Sequence, residues 1–449
     1  MLTDELAAVR GALAMTTPAS LVGHVAAVSA LAVEVTGLAR HLAVGDRLAL
    51  QVRDGTLLPA EIVAVRGHTL YAAPFGPTLG IGAGAPARAA VGPGRTGLRG
   101  TLAPCAAWLG RVIDPLGAPM DGRGRLPPGP LARPVRAPPP PATARARLGP
   151  ALDLGVRVLN CFATCRTGQR LGLMAGSGVG KSTLLAMLAR YTECEVAVLA
   201  LVGERGREVR EFIEDDLGPE GMARAVVVIA TSDAPPLLRR EAAYAALTIA
   251  EHFRDEGKSV LLLMDSVTRF CLALRELGLA VGEPPATRGY PPSVFAELPR
   301  LLERAGPGAE QAGHITALFT VLVEGGDHDE PVADAVRGIL DGHVVLDRRI
   351  AEAGRYPAVD VLKSLSRAAS SILTPEQSTL VRQARAHLAL YADMADMVRL
   401  GAYKRGGDPA VDEAVRVAPR IEAMLTQARD EPSTIETSFA MLRAALGNG

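Results

Sequence analysis

The sequence predicts an α/β protein in three parts: a small N-terminal β-barrel, a central mostly parallel sheet covered by helices, and a helical C-terminal region. Three observations predict it. Short apolar alternations broken by Gly and Asp fill residues 20–92, the pattern of a small barrel. From about 151 to 370, apolar strand, Gly-rich turn and amphipathic helix follow one another, as in a parallel sheet with helical crossovers. Beyond 373, helix caps can be read directly.

Taken in order, Leu2, Leu6, Val9 and Leu13 form one stripe of a short helix. A helix of about 12 residues is marginal alone, so residues 1–19 are read as a partner-docking segment or a helix lying on its own domain. In the barrel, Leu48, Leu50 and Val52 alternate with polar or small residues, Val33 and Val35 flank Glu34, and Ile62, Val63 and Val65 form another run. Residues 123–150, with Pro138–Pro141 unbroken, read as an extended connector. Strands are expected at Arg170–Met174, Val196–Val202, Ala225–Ala230, Val260–Met264 and Ile315–Val323, with a helix over Glu241–Asp255. Thr374-Pro375-Glu376-Gln377 is a capping box that starts a helix ending at Leu400-Gly401. Asp408-Pro409 starts another, and Ser433 with Glu436 reads as a second capping box. The expected domains are 1–19, 20–92, 93–372 and 373–449.

Lys+Arg and Asp+Glu are both 48, so the formal net charge is +0, and aromatic residues are 4%. Neither the basic excess nor the stacking surface of a nucleic-acid translocase is present. Lysine occurs only at positions 181, 258, 363 and 404, so a lysine kept in so arginine-rich a chain marks a place where Arg would not serve. The five cysteines are odd in number, and Cys161 and Cys165 share a face only if their stretch is helical; they read as structural thiols. No apolar run nears the roughly 18 residues of a membrane span, and the N-terminus lacks a basic leader, so a cytoplasmic chain is expected.

The chemistry centres on Ala175-Gly176-Ser177-Gly178-Val179-Gly180-Lys181-Ser182, which follows a strand and opens a helix from Thr183 to Tyr191. This is a P-loop in its required setting: glycines bring backbone N–H groups to phosphate oxygens, the helix N-terminus adds partial positive charge, Lys181 reaches the β/γ-phosphates, and Ser182 is a ligand for Mg²⁺. Gly176, Ser177, Gly178, Val179, Gly180, Lys181, Ser182 and Thr183 are the candidate nucleotide contacts. Val260–Met264 ends in Asp265, a second anchor for the metal. Glu204 follows Val196–Val202 and falls at the P-loop edge of a parallel sheet, where a carboxylate can polarise a water; the alternative is an ion pair with Arg205 or Arg207. Glu324, Asp327, His328, Asp329 and Glu330 read as a solvated loop rather than a metal site.

The P-loop, Gly203–Arg207 (GERGR), Asp265–Phe270 (DSVTRF) and Pro357–Asp360 followed by Ser364–Arg367 together resemble the rotary-type ATPase catalytic subunits. Gly282–Phe295 (GEPPATRGYPPSVF), Glu303–Gly306, Ile339–Val345 and Gly401–Pro409 resemble, within that group, the flagellar protein-export ATPases, with the virulence type III secretion ATPases and the ATP synthase β-type subunit as alternatives. The resemblance implies a RecA-like central domain, ATP as substrate with Mg²⁺, and a homohexameric ring. It also implies partners in a stator-like regulator, the membrane export gate and chaperone–substrate complexes, at the inner-membrane export apparatus. By position it implies Glu204 as the catalytic carboxylate, Arg205 as its neighbour near the γ-phosphate, and Arg367 as an arginine finger acting on the adjoining subunit. It further implies Tyr356 as the aromatic that stacks on adenine, and Glu303 and Arg304 on a ring-facing helix. A guanidinium suits the finger role because it offers bidentate stabilisation to developing phosphoryl charge.

Overall fold

A computed structural model describes residues 20–90, 100–323 and 330–447. The stripe at Leu2–Leu13 and the acidic residues 324–329 lie outside the described residues; Glu330 is described, and its carboxylate accepts from the Ala333 N–H at the start of a helix.

Six antiparallel strands close a barrel in the order β1-β2-β5-β4-β3-β6: β1 (Ser20–Val28), β2 (Val33–Thr36), β3 (Arg47–Gln51), β4 (Leu57–Arg66), β5 (Thr69–Pro74) and β6 (Pro86–Ala90). Of the residues read in the sequence, Val33, Val35, Leu48, Leu50 and Ile62 point inward, all 4% exposed or less, whereas Val52 and Val63 are partly buried and Val65 is exposed. Closure removes the open edges that a sheet of this size would otherwise present.

The central sheet contains β7 (Arg111–Ile113), β8 (Arg170–Ala175), β9 (Val196–Glu204), β10 (Ala225–Thr231), β11 (Ser259–Asp265), β12 (His314–Leu322), β13 (Gly342–Val345) and β14 (Leu365–Ser366). Their order is β14-β13-β8-β12-β11-β9-β10-β7, parallel except for β14 at one edge and a short Gly306–Pro307 pairing on β12. Every strand expected between 170 and 323 is present. One face packs α1 (Lys181–Tyr191), whose Leu184, Met187 and Leu188 meet Leu171, Leu173 and Leu199. The other packs α2 (Pro236–Asp255), α3 (Val267–Ala280) and α4 (Pro292–Leu302), with Tyr244, Leu247 and Phe270 against Val198 and Val260. The helix α5 (Pro331–Ile339) lies over the same side.

The C-terminal part is α6 (Pro375–Arg399), α7 (Pro409–Leu425) and α8 (Ile435–Leu446). The capping box at Thr374 and Gln377 is formed, and Leu400 closes α6. The second box does not form: Thr434, not Ser433, caps α8 by accepting from the Thr437 N–H, the third helical residue is Thr437 rather than Glu436, and Ser433 is turned inward to the Ser438 hydroxyl. Leu380, Val417, Ile421 and Phe439 join the apolar layer beneath α1, so these helices continue the core of the P-loop face.

The structure bears on three further readings. Cys161 lies in the short helix Arg157–Phe162 and Cys165 on a strand, so no common helical face exists; both thiols are buried, and burial raises their pKa. The 123–150 connector is extended but anchored: Val135 is 2% exposed, and its carbonyl accepts from Arg304 at 2.7 Å. Arg304 is fully buried inside the protomer and paired with Glu251 at 2.7 Å, so it does not face outward on a helix.

Barrel and sheet domain are joined by buried charge. Arg240 of α2 reaches Glu61 of β4 at 2.7 Å, and Arg47 of β3 reaches Glu241 at 3.0 Å. Phe75 and Ala73 pack on Leu237 and Leu277 beside them.

Candidate active site

The P-loop runs from β8 into α1. Gly178 (φ 74°) and Gly180 (φ 82°) hold the left-handed conformation that L-residues avoid, which lets the loop fold over the start of α1. Gly180 is the residue preceding α1, so the first N–H groups of that helix open toward the loop. Ser177 and Ser182 are exposed. Arg348 donates to the Ser177 carbonyl at 3.2 Å and steadies the loop from outside.

Two strand ends supply the carboxylates. Along β11, Leu261 and Leu263 face the α1 side and Val260, Leu262 and Met264 the other, so Asp265 falls on the α1 side by simple alternation. Along β9, Val202 faces away from α1, and Glu204, two residues on, would do so too. The ladder with β10 shifts by one residue between Val202 and Glu204, with Gly203 at φ 73°. This bulge inverts the alternation and re-aims Glu204 at the P-loop.

The three charged groups meet there. Lys181 Nζ donates to Asp265 Oδ1 at 2.7 Å and to Glu204 Oε1 at 3.4 Å, and the Thr320 hydroxyl on β12 donates to the same Asp265 oxygen at 2.6 Å. Burial, with the Asp265 charge, raises the Glu204 pKa above its ordinary value, against the opposing pull of Lys181 and Arg269. Burial opposes the Lys181 charge, but the two carboxylates more than offset it, and its pKa is raised. The alternative pairing of Glu204 with Arg205 or Arg207 does not occur: these arginines are 80% and 86% exposed and pair with Glu208 and Glu211. The structure therefore does not bring Arg205 into the cluster.

Tyr356 lies on the other side of the P-loop, half-exposed, with its ring 3.0 Å from where a Cβ on Gly180 would stand. Arg367 is exposed and remote. Ser366 pairs with Gly342, the Arg367 N–H donates to the Asp341 carbonyl at 3.0 Å, and the Arg170 N–H donates to the Asp341 carboxylate. Arg367 is thus level with the amino end of β8, about five residues or roughly 17 Å of strand from its own P-loop.

Three neighbours of the cluster carry no role in the sequence reading. Thr320 had a signal, as a hydroxyl in the apolar run His314–Leu322. Arg269 lies in the DSVTRF segment, and its stem runs along Gly203 within 3.0–3.2 Å of a Cβ position there. Arg348 had no local signal.

A glycine loop at a helix N-terminus, a lysine shared by two strand-end carboxylates, and a parallel sheet behind them define a P-loop ATPase. Residues 155–366 match the ATP synthase alpha/beta family, nucleotide-binding domain, and residues 373–444 the T3SS EscN ATPase C-terminal domain. The flagellum-specific ATP synthase of Caulobacter vibrioides is 53% identical over 95% of this chain and 96% of its own. The type 3 secretion system ATPase of Xanthomonas euvesicatoria is 46% identical over 94% and 93%. Structures of the assembled ATPase EscN of enteropathogenic E. coli, alone and with its central stalk EscO, superpose with TM-scores of 0.87 and 0.84, each at 38% identity over 94% of this chain and 100% of theirs. The chain belongs to the family of flagellum-specific ATP synthases and type III secretion ATPases.

Proposed function

We propose that this ATPase hydrolyses ATP at the seams of a homohexameric ring built from its own copies, and that hydrolysis drives or primes the export of flagellar subunits. The observation that supports the seam is the separation of Arg367 from its own P-loop: an exposed guanidinium at the amino end of the sheet is out of reach of its own phosphate site and free to face one on another copy. The flagellar role is supported by the higher identity to the flagellar relative, 53% against 46% for the secretion ATPase of Xanthomonas.

We assign the roles as follows. The P-loop N–H groups and Lys181 hold the phosphates, and Tyr356 takes the adenine. Glu204, whose pKa burial and the Asp265 charge raise above its ordinary value, polarises the attacking water and accepts its proton. Ser182 and Asp265 are oxygen donors and fit Mg²⁺. No group of three His, Cys, Asp or Glu among the described residues could cage an ion alone, which suits a metal that shares its shell with water and phosphate. When bound, Mg²⁺ supplies charge neutralisation on the phosphate oxygens. Arg367 of the adjoining copy completes the site; such residues contribute roughly 10³–10⁵ in rate in other nucleotide hydrolases.

EscN assembles and takes a central stalk, EscO. We assign this chain an equivalent stalk-like or stator-like regulator, together with the membrane export gate and chaperone–substrate complexes, and no nucleic acid. No described helix is long and apolar enough to cross a membrane, and the assigned location is the cytoplasmic side of the export apparatus, peripheral to the inner membrane. The test mixes two inactive variants. Lys181→Ala lacks the phosphate-binding ammonium and Arg367→Ala the donated guanidinium, so mixed rings contain seams with both, and partial ATPase activity is expected. No recovery despite demonstrated co-assembly would refute the shared site.

A further inference from the structure

The C-terminal helices meet the nucleotide site at a buried amide, beside the ion pair of Arg355 with Glu422 of α7 at 2.6 Å and the apolar layer they share with α1. Gln427, two residues past α7, is 3% exposed. Its Oε1 accepts from the Arg157 N–H at 2.8 Å, and its Nε2 donates to the carbonyls of Gly155, at 2.9 Å, and Glu431. Both amide protons and one oxygen lone pair are therefore committed to backbone groups. Its own N–H donates to the Tyr356 carbonyl at 2.9 Å, and the Tyr356 ring lies against Gly180 of the P-loop. The same turn is tied down nearby: the Arg157 guanidinium donates to the Thr426 carbonyl at 2.9 Å, and the Asn160 amide to the Ser433 carbonyl at 2.9 Å.

We propose that Gln427 is a positioning residue for the base side of the nucleotide site, acting through Tyr356. It fixes the distance of the Tyr356 ring from Gly180 and transmits displacement of α6 and α7 to that ring. The inference rests on the reading of Tyr356 as the adenine contact. Its physical basis is that a buried amide bonded to backbone on several segments cannot shift without leaving partners unpaired. Movement of the helical region therefore carries Tyr356 with it, while the phosphate-binding N–H groups, fixed by β8 and α1, stay in place.

Two substitutions test it in the full chain. Gln427→Glu is isosteric, keeps the acceptor for the Arg157 N–H, and turns a carboxylate oxygen toward two carbonyls. Gln427→Asn keeps the amide but shortens its reach, and serves if the glutamate variant fails to fold. Calorimetry in Mg²⁺ measures affinity for ATP and for inorganic tripolyphosphate, which engages the P-loop but has no base. ATP affinity is expected to fall roughly five- to twenty-fold, the size of one or two buried hydrogen bonds, with tripolyphosphate within two-fold of wild type. Tyr356→Ala should show the same pattern, and combining it with Gln427→Asn should add nothing further. Equal losses for ATP and tripolyphosphate would overturn the proposal by making Gln427 a general fold contact. Unchanged ATP affinity in Gln427→Asn, with a loss in Tyr356→Ala, would overturn it and leave the Tyr356 reading standing. Unchanged ATP affinity in Tyr356→Ala would end that reading, and the proposal with it.

Discussion

Glu204, the carboxylate proposed to activate water, carries a cost to stability. Its pKa is raised in the folded chain, so folding favours the protonated form. Ionised Glu204 therefore lowers stability at neutral pH, and this penalty shrinks as pH falls through the raised value and is gone below the ordinary glutamate value of 4.5. Lys181 has a raised pKa, and its contribution is constant anywhere below the ordinary lysine value of 10.5. Glu204→Gln should consequently melt higher than wild type at pH 7–8, by an amount that shrinks on acidification, while binding ATP and losing roughly 10²-fold or more in turnover. A lower Tm at pH 7.5 would contradict this account of the charge. The acid limb of the wild-type rate profile should lie above that of an ordinary glutamate. Thr320→Val should lower kcat about ten-fold, the size of one hydrogen bond to a charged group. At this scale the P-loop, Asp265 and Glu204 were legible because their positions follow from strand ends. For Arg205, adjacency in sequence says nothing of direction: one residue beyond Glu204 the chain turns outward, and Arg205 pairs with Glu208.

Among the elements, the informative one is the bulge at the end of β9. Alternation alone would turn Glu204 away from the phosphate loop, and no period in the sequence announces an inserted residue; only the glycine at 203 hints at it. Gly203→Ala forces a side chain into φ 73° against the Arg269 stem. It should cost about 1–3 kcal/mol and reduce kcat more than ATP affinity, as separate kinetic and binding measurements would show. The cap at Thr374 was readable because its partner lies three residues on, whereas the α8 cap was misread by one residue because Ser433 and Thr434 offer the same chemistry. Arg304 was misread for a different reason. Arginine is rarely fully buried, and its partners Glu251 and the Val135 carbonyl lie 53 and 169 residues away. Arg304→Leu would strand Glu251 beneath the connector and should cost about 3–5 kcal/mol in chemical denaturation.

Across the whole molecule, two joints connect three apolar bodies. The C-terminal helices share a core with the P-loop face, whereas the barrel is held to the sheet domain largely by Arg240–Glu61 and Arg47–Glu241. Glu61→Ala leaves Arg240 with Glu241, at 2.7 Å, as its remaining carboxylate partner and should destabilise the junction by about 1–3 kcal/mol, appearing as a barrel transition separated from the main one in calorimetry. Such a joint was beyond sequence reading, since its members are 179 and 194 residues apart and each is one charge among many. The same scale gives meaning to the distance between Arg367 and the P-loop. Under the proposed shared site, a copy defective at only one of these poles disables a single seam of its ring. A copy defective at both disables two, the one it hosts and the one it serves. In mixed populations the doubly impaired allele should therefore be the more dominant, with activity declining as the square of the intact fraction wherever all copies present carry either both functions or neither.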